Sequence, residues 1–278
     1  MTDSLTAIIL GVIEGITEFL PISSTGHLLI AEQWLPRQDD LFNMVIQAGA
    51  VLAVIPLFHQ RFHQFIYNWN DRAVREYFFK IIIAFGITGA GGLVIDKKGF
   101  KLPEELWPVA LALLIGGILF IVVETMLSKK RTSGAPERSD LAHVTWPIVV
   151  AVGVGQLIAA VFPGASRSGT TILLSLILGL SRPLATEFSF LVSIPTMLAV
   201  AAFKIFKALH HHAGAASQEN WQMVIIATVV AAAVSFVAVK WLLRYVQTHT
   251  FMAFGWYRVA LGGALLAALA THVIGGAH

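Results

Sequence analysis

The sequence predicts an all-α polytopic membrane protein, with six transmembrane helices plus two re-entrant helical hairpins in an inverted internal repeat. Three observations carry that prediction. The chain is 56% hydrophobic and 13% charged, with a mean hydropathy of +0.75, against about 25% charged residues in a typical soluble domain. Six segments are long and apolar enough to cross hydrocarbon, and two more are interrupted near their middles by proline. Those two interrupted segments also read alike. Glu14-Gly-Ile-Thr-Glu18-Phe-Leu-Pro21 sets a glutamate seven positions before a proline, and Gln156-Leu-Ile-Ala-Ala-Val-Phe-Pro163 sets a glutamine at the same distance. Downstream, Phe42 with Leu52-Ala53-Val54 is echoed by Phe188 with Leu198-Ala199-Val200. An internal repeat in a membrane chain points to a site where the halves meet.

In chain order, residues 4–35 have room for two passes of about half the bilayer, broken at Pro21. Non-helical backbone survives at membrane depth only where it is buried in protein or lines a wet cavity, so this region reads as a re-entrant hairpin. Full spans follow at roughly 41–60, 78–95 and 107–127. Ser128–Asp140, with Lys129-Lys130-Arg131 and Ser133-Gly134-Ala135-Pro136, is the joint between halves. Residues 144–182 repeat the hairpin, broken at Pro163-Gly164, and spans at 185–209, 221–243 and 252–274 complete the chain. Residues 1–278 thus read as one integral membrane domain, with halves of approximately 1–127 and 144–243 and a final helix at 252–274.

Basic residues orient the bundle. Arg61, Arg72, Arg75, Lys80, Lys129, Lys130, Arg131, Arg138, Arg182, Lys240 and Arg244 fall on one side, against Arg37, Lys97, Lys98, Lys101, Lys204 and Lys207 on the other. The richer side is expected to be cytoplasmic, so the first hairpin enters from outside and the second from inside. The net charge of +3 does not imply nucleic acid, because the basic residues sit in short loops. The absence of cysteine excludes disulfides and thiolate catalysis. The N-terminus lacks a cleavable-signal pattern, so the first apolar segment is expected to stay.

Glu14 and Glu18 share one helix face, with about 5–6 Å between Cβ atoms. Two like charges this close cannot both ionise cheaply unless a cation or an arginine joins them. Pro163-Gly164-Ala-Ser166-Arg167-Ser168-Gly169-Thr170-Thr171 combines glycines that admit a ligand, hydroxyl donors, a helix start and a guanidinium fork, which together suit phosphate oxygens. Ser23-Ser24-Thr25-Gly26-His27 places hydroxyl nucleophiles beside an imidazole at a second helix start. Tyr257-Arg258 offers a second cation at the outer mouth, a buried arginine capped by a carbonyl, or an arginine snorkelling to the interface. Glu124 and Glu187 read as interfacial, Asn43 and Gln47 as supporting donors, and His210-His211-His212 as solvated loop.

EGxTEFLPxSSTGH, PGxSRSGxT, Glu187-Phe-Ser-Phe and Phe254-Gly-Trp-Tyr257-Arg258 together resemble the bacterial undecaprenyl-diphosphate phosphatases, also called bacitracin-resistance proteins, along almost the whole chain. The resemblance implies hydrolysis of undecaprenyl diphosphate to the monophosphate lipid carrier used in cell-wall synthesis. It also implies a bacterial inner-membrane location, with the site opening to the periplasmic face. Carried over, the family's motifs fall on Glu14 and Glu18, on Ser24, Thr25 and His27, and on Ser166, Arg167 and Ser168. One local departure from the pattern lies around Gln33–Asp40, at the outer mouth, and leaves the motifs intact.

The expected catalytic set is Glu14, Glu18, Ser24, His27 and Arg167. Phosphate binding is expected from Ser23, Thr25, Gly164, Ser166, Ser168, Gly169, Thr170 and Arg258. Ser24 is the first choice of nucleophile, and His27 is the variant. The paired glutamates could instead hold a divalent cation, Mg2+ or Ca2+, that bridges diphosphate oxygens. Expected partners are the polyprenyl diphosphate lipid and the bilayer, with a homodimer left open. The competing reading is an anion carrier or polyprenyl-phosphate flippase, since inverted re-entrant repeats are also a transporter design.

Overall fold

The computed structural model describes residues 3–98, 105–132, 140–211 and 220–271. All regular structure among them is helical: α1 (Asp3–Thr17), α2 (Ser24–Ala31), α3 (Asp40–Val54), α4 (His59–Tyr67), α5 (Arg72–Lys97), α6 (Leu106–Thr132), α7 (Trp146–Val161), α8 (Arg167–Ile177), α9 (Arg182–His211), α10 (Trp221–Thr248) and α11 (Met252–Ala270), with short 3-10 turns at Ile55–Phe58 and Leu141–His143. Lys101, Ser133, Gly134, Pro136, Arg138 and His212 lie outside the described residues.

Among the described residues, six stretches are long and apolar enough to cross a membrane: Leu41–Tyr67, Arg72–Lys97, Leu106–Lys129, Arg182–Phe203, Trp221–Thr248 and Met252–Ala270. This is a multi-pass membrane protein. Local sequence sets many of the helix starts. Asp39, Asp71 and Asn220 each cap the helix that follows by accepting from a first-turn N–H, those of Phe42, Ala73 and Met223 respectively. Pro147 sits in the first turn of α7, where its missing N–H costs nothing. The first span runs further than expected because Pro56 falls in the 3-10 turn that links α3 to α4, and the chain re-forms helix beyond it.

The two proline-broken regions fold as short helix pairs. α1 stops at Thr17 and α2 starts at Ser24; α7 stops at Val161 and α8 starts at Arg167. Packing partners exchange between the halves: α1 lies on α10 and α7 on α5, α3 lies on α10 and α9 on α5, while α3 meets α9 and α6 meets α11. α9 is the most enclosed span, with 72% of its most apolar window buried, against 22–39% for the others. Close approach at the seams needs small residues. A Cβ on Gly15 would lie 2.8 Å from the Ala231 carbonyl of α10, and one on Gly117 would lie 2.7 Å from the Gly255 carbonyl of α11.

Two ion pairs fix the helix ends. Glu124 is fully buried, pairs with the buried Arg182, and also accepts the Phe251 N–H at 2.9 Å. It is therefore an internal tie between α6, α9 and the start of α11, where sequence reading expects an interfacial side chain. Glu187 is half-buried and accepts from Arg61 Nε at 2.8 Å and from the Tyr77 hydroxyl at 3.1 Å.

Candidate active site

The site forms where the two breaks, 18–23 and 162–166, touch. Glu18 completes the last turn of α1, with its N–H on the Glu14 carbonyl at 2.9 Å. Pro21 then prevents the helix from continuing, and Ser23 turns the chain into α2 with φ 75° while its hydroxyl accepts the Gly26 N–H at 3.2 Å. In the other half, Gly164 at φ 91° and Ser166 at φ 66° make the same turn, and the Ser166 hydroxyl accepts the Gly169 N–H at 3.1 Å. A Cβ on Gly164 would lie 2.6 Å from the Val109 carbonyl, so only glycine lets the second break lie against α6.

Two side chains, one from each half, meet at one carboxylate. The Ser24 hydroxyl donates to Glu18 Oε2 at 2.5 Å, and Arg167 Nη2 donates to Glu18 Oε1. Glu18 is 7% exposed, Ser24 8%, and the Arg167 side chain 18%, so one edge of the group opens outward. Arg167 Nε is buried with no hydrogen-bond partner among the described residues, so the pairing with Glu18 leaves that donor unmet. Glu14, one turn back, is fully buried, and neither of its carboxylate oxygens has a hydrogen-bond partner among the described residues. A buried, unpartnered carboxylate is costly and awaits a proton or a cation.

The remaining expected residues take other positions. Ser23 and Ser166 are helix caps. Ser168 donates to the Leu20 carbonyl at 3.1 Å and fastens α8 to the first break. Thr170 donates to the Ala165 carbonyl at 3.4 Å, within its own break. Thr25 is exposed on α2.

Arg258, expected to bind phosphate, is wholly buried and donates to backbone carbonyls: Pro21 at 3.2 Å, Ala112 at 3.0 Å, Gly164 and Ala165 at 3.1 Å each, and Leu113 at 3.4 Å. With the guanidinium committed to carbonyls, this arginine clamps both breaks to α6, which is the carbonyl-capped alternative. His27 stands beside the group, with Nδ1 2.7 Å from the Ser23 carbonyl and Nε2 2.7 Å from the Tyr257 hydroxyl. That pairing of α2 with α11 has no signature in residue spacing.

The halves differ in the chemistry they carry. Gln156 stands where the first half has Glu14, and Ala160 where it has Glu18. Gln156 donates to Thr88 at 2.9 Å, and Thr88 donates in turn to the Gly153 carbonyl at 3.1 Å, so an amide takes up the polar position on the α5 side. The carboxylates come from one half and the guanidinium from the other.

Fold and site together define a class: a multi-pass helical membrane protein with a serine–carboxylate–arginine group held at the junction of two broken helices. The chain belongs to the bacitracin resistance protein BacA family, whose sequence profile matches residues 7–264. It is 48% identical over 273 residues to the undecaprenyl-diphosphatase of Rhizobium johnstonii, covering 98% of this chain and 99% of that one. It is 48% identical over 267 residues to the protein of the same name from Xanthomonas euvesicatoria pv. vesicatoria, covering 96% and 97% respectively.

Proposed function

We propose that this chain hydrolyses undecaprenyl diphosphate to undecaprenyl phosphate and inorganic phosphate, which recycles the lipid carrier for cell-wall synthesis and confers bacitracin resistance. The observation that carries the reading is the 2.5 Å hydrogen bond from Ser24 to a carboxylate that also pairs with Arg167. Family membership and near-full-length identity to proteins named undecaprenyl-diphosphatase support the substrate.

In this reading, Ser24 Oγ attacks the terminal phosphorus. Its proton passes to Glu18 along the existing hydrogen bond, an Oγ–P bond forms, and the bridging P–O bond breaks to release the polyprenyl monophosphate. Water then attacks the phosphoserine and gives its proton to His27, Glu18 returns its own proton to Ser24 Oγ as the Oγ–P bond breaks, and inorganic phosphate leaves, taking the proton from His27. Arg167 neutralises charge spread over the phosphoryl oxygens in both steps, which is most of what catalysis of phosphoryl transfer requires. Ser24 is favoured over His27 as nucleophile because both imidazole nitrogens already have partners, whereas the serine faces a base.

Glu14 and Glu18 fit a divalent cation held jointly with diphosphate oxygens, since Mg2+ commonly uses one or two carboxylates plus substrate phosphates. The bare oxygens of buried Glu14 support this. A bound cation would supply Lewis-acid stabilisation of the diphosphate.

The two breaks, fastened by Ser168 to Leu20 and by Arg258 to Pro21 and Gly164, support two re-entrant hairpins of opposite entry meeting inside the bundle. With the basic loops cytoplasmic, the site would open to the periplasmic face of the inner membrane. The second half has Gln156 and Ala160 where the first has Glu14 and Glu18, which argues for an asymmetric catalyst over a symmetric carrier gate.

The test is phosphate release from undecaprenyl diphosphate by purified protein in detergent, with and without chelator. Release abolished by chelator and restored by Mg2+ or Ca2+ supports both hydrolase and cation. Release unaffected by chelator removes the cation. No release, together with lipid translocation in vesicles, would replace the hydrolase by the flippase.

A further inference from the structure

His27 has a hydrogen-bond partner at each ring nitrogen, and the two partners differ in kind. The Ser23 carbonyl, 2.7 Å from Nδ1, can only accept, so Nδ1 carries a proton in every state that keeps this contact. The Tyr257 hydroxyl, 2.7 Å from Nε2, can do either. Toward a neutral ring it donates to the Nε2 lone pair; toward a protonated ring it rotates and accepts from Nε2–H. The two rings lie within 6° of parallel, with their centroids 5.7 Å apart. Tyr257 is 44% exposed, so the hydroxyl sits on the open side of α2 and not in the packed core.

We propose that Tyr257 is a positioning residue for His27, holding the ring so that Nδ1 keeps its proton and Nε2 alone gains and loses one. A histidine so held changes protonation at a defined atom without forfeiting a hydrogen bond, which lowers the reorganisation that a proton transfer would otherwise require. The same contact ties α11 to α2, so the last span takes part in the site through Tyr257 as well as through the Arg258 clamp. The consequence for turnover rests on the hydrolase reading; the geometry does not.

The test has one arm that does not involve activity. The full-length protein, labelled with 15N-histidine and with His27 assigned by comparison with His27→Gln, should show a neutral ring protonated at Nδ1 in alkaline buffer. Tyr257→Phe should move the Nε2 resonance while Nδ1 stays protonated. A neutral ring protonated at Nε2, or an Nε2 resonance that ignores Tyr257→Phe, would overturn the proposal.

In the kinetic arm, Tyr257→Phe should lower kcat about tenfold or more with KM changed less than about twofold. The His27→Gln/Tyr257→Phe double variant should be no slower than His27→Gln alone. Multiplicative losses in the double variant would overturn the coupling. Failure of the wild type to release phosphate would sink the hydrolase reading while the spectra still decide the ring.

Discussion

Ser23 and Ser166 hold the same uncommon backbone conformation at the starts of two different helices, φ 75° and ψ 96° at one, φ 66° and ψ 117° at the other. Each pays a backbone strain of about 1–3 kcal/mol and each recovers part of it by capping its helix. Glycine would lose the cap and relieve the strain; alanine would lose the cap and keep it. Ser23→Ala and Ser166→Ala should each destabilise the protein by about 1 kcal/mol, while the glycine variants stay close to wild type. Thermal unfolding in detergent measures the difference, and equal losses for alanine and glycine would refute the strained-cap assignment.

Glu18 is the convergence point of the site. Glu18→Gln preserves the shape but removes the base for Ser24 and the counter-charge of Arg167, so turnover should fall by about 10²–10⁴. Ser24→Ala should be at least as severe, and exposed Thr25→Ala much milder. Phosphate trapped on Ser24 in rapidly quenched wild-type protein would complete the case. Trapping on His27, or near-normal turnover of Ser24→Ala, would move the nucleophile to the histidine.

Arg167 meets Glu18 through one arm and keeps donors for the substrate, a geometry that depends on a planar fork. Arg167→Lys should keep the fold and lose most activity. If more than about half the turnover survived, charge alone would suffice and the fork argument would fail.

Arg258 behaves differently under the same kind of substitution, because its donors serve the backbone. Arg258→Lys should lower stability by at least about 2 kcal/mol, since carbonyls on three segments lose a charged donor. Normal thermal stability with a raised KM would instead return Arg258 to phosphate binding.

Topology is tested without reference to chemistry. In this cysteine-free chain, single cysteines at Gln38 and at Ser133 should label with an impermeant thiol reagent from opposite faces of the membrane. Labelling of both from one face would exclude opposite entry of the two hairpins.

The sequence by itself determined the class of molecule and the parts of the site. Runs of apolar residues longer than a bilayer needs admit few structures other than spanning helices, and prolines at 21 and 163 with hydroxyl-rich sequence beyond them mark where helices must stop and restart. Those are local properties, written in adjacent residues. Glu14, Glu18, Ser24 and Arg167 were equally legible, because charge and hydroxyls at membrane depth stand out against an apolar background.

Only the tertiary structure decided which residues act together. Glu124 looks interfacial by its place near a span end, yet Arg182 and the Phe251 N–H enclose it. Arg258 has the chemistry of a phosphate ligand, but packing of α11 against α6 turns it toward carbonyls of both breaks. His27 gains its second partner from Tyr257 at the other end of the chain. In each case the deciding contact joins residues far apart in sequence, and for Glu124 and Arg258 its energy comes from matching buried donors to buried acceptors. That matching is fixed when the helices pack, not when they form.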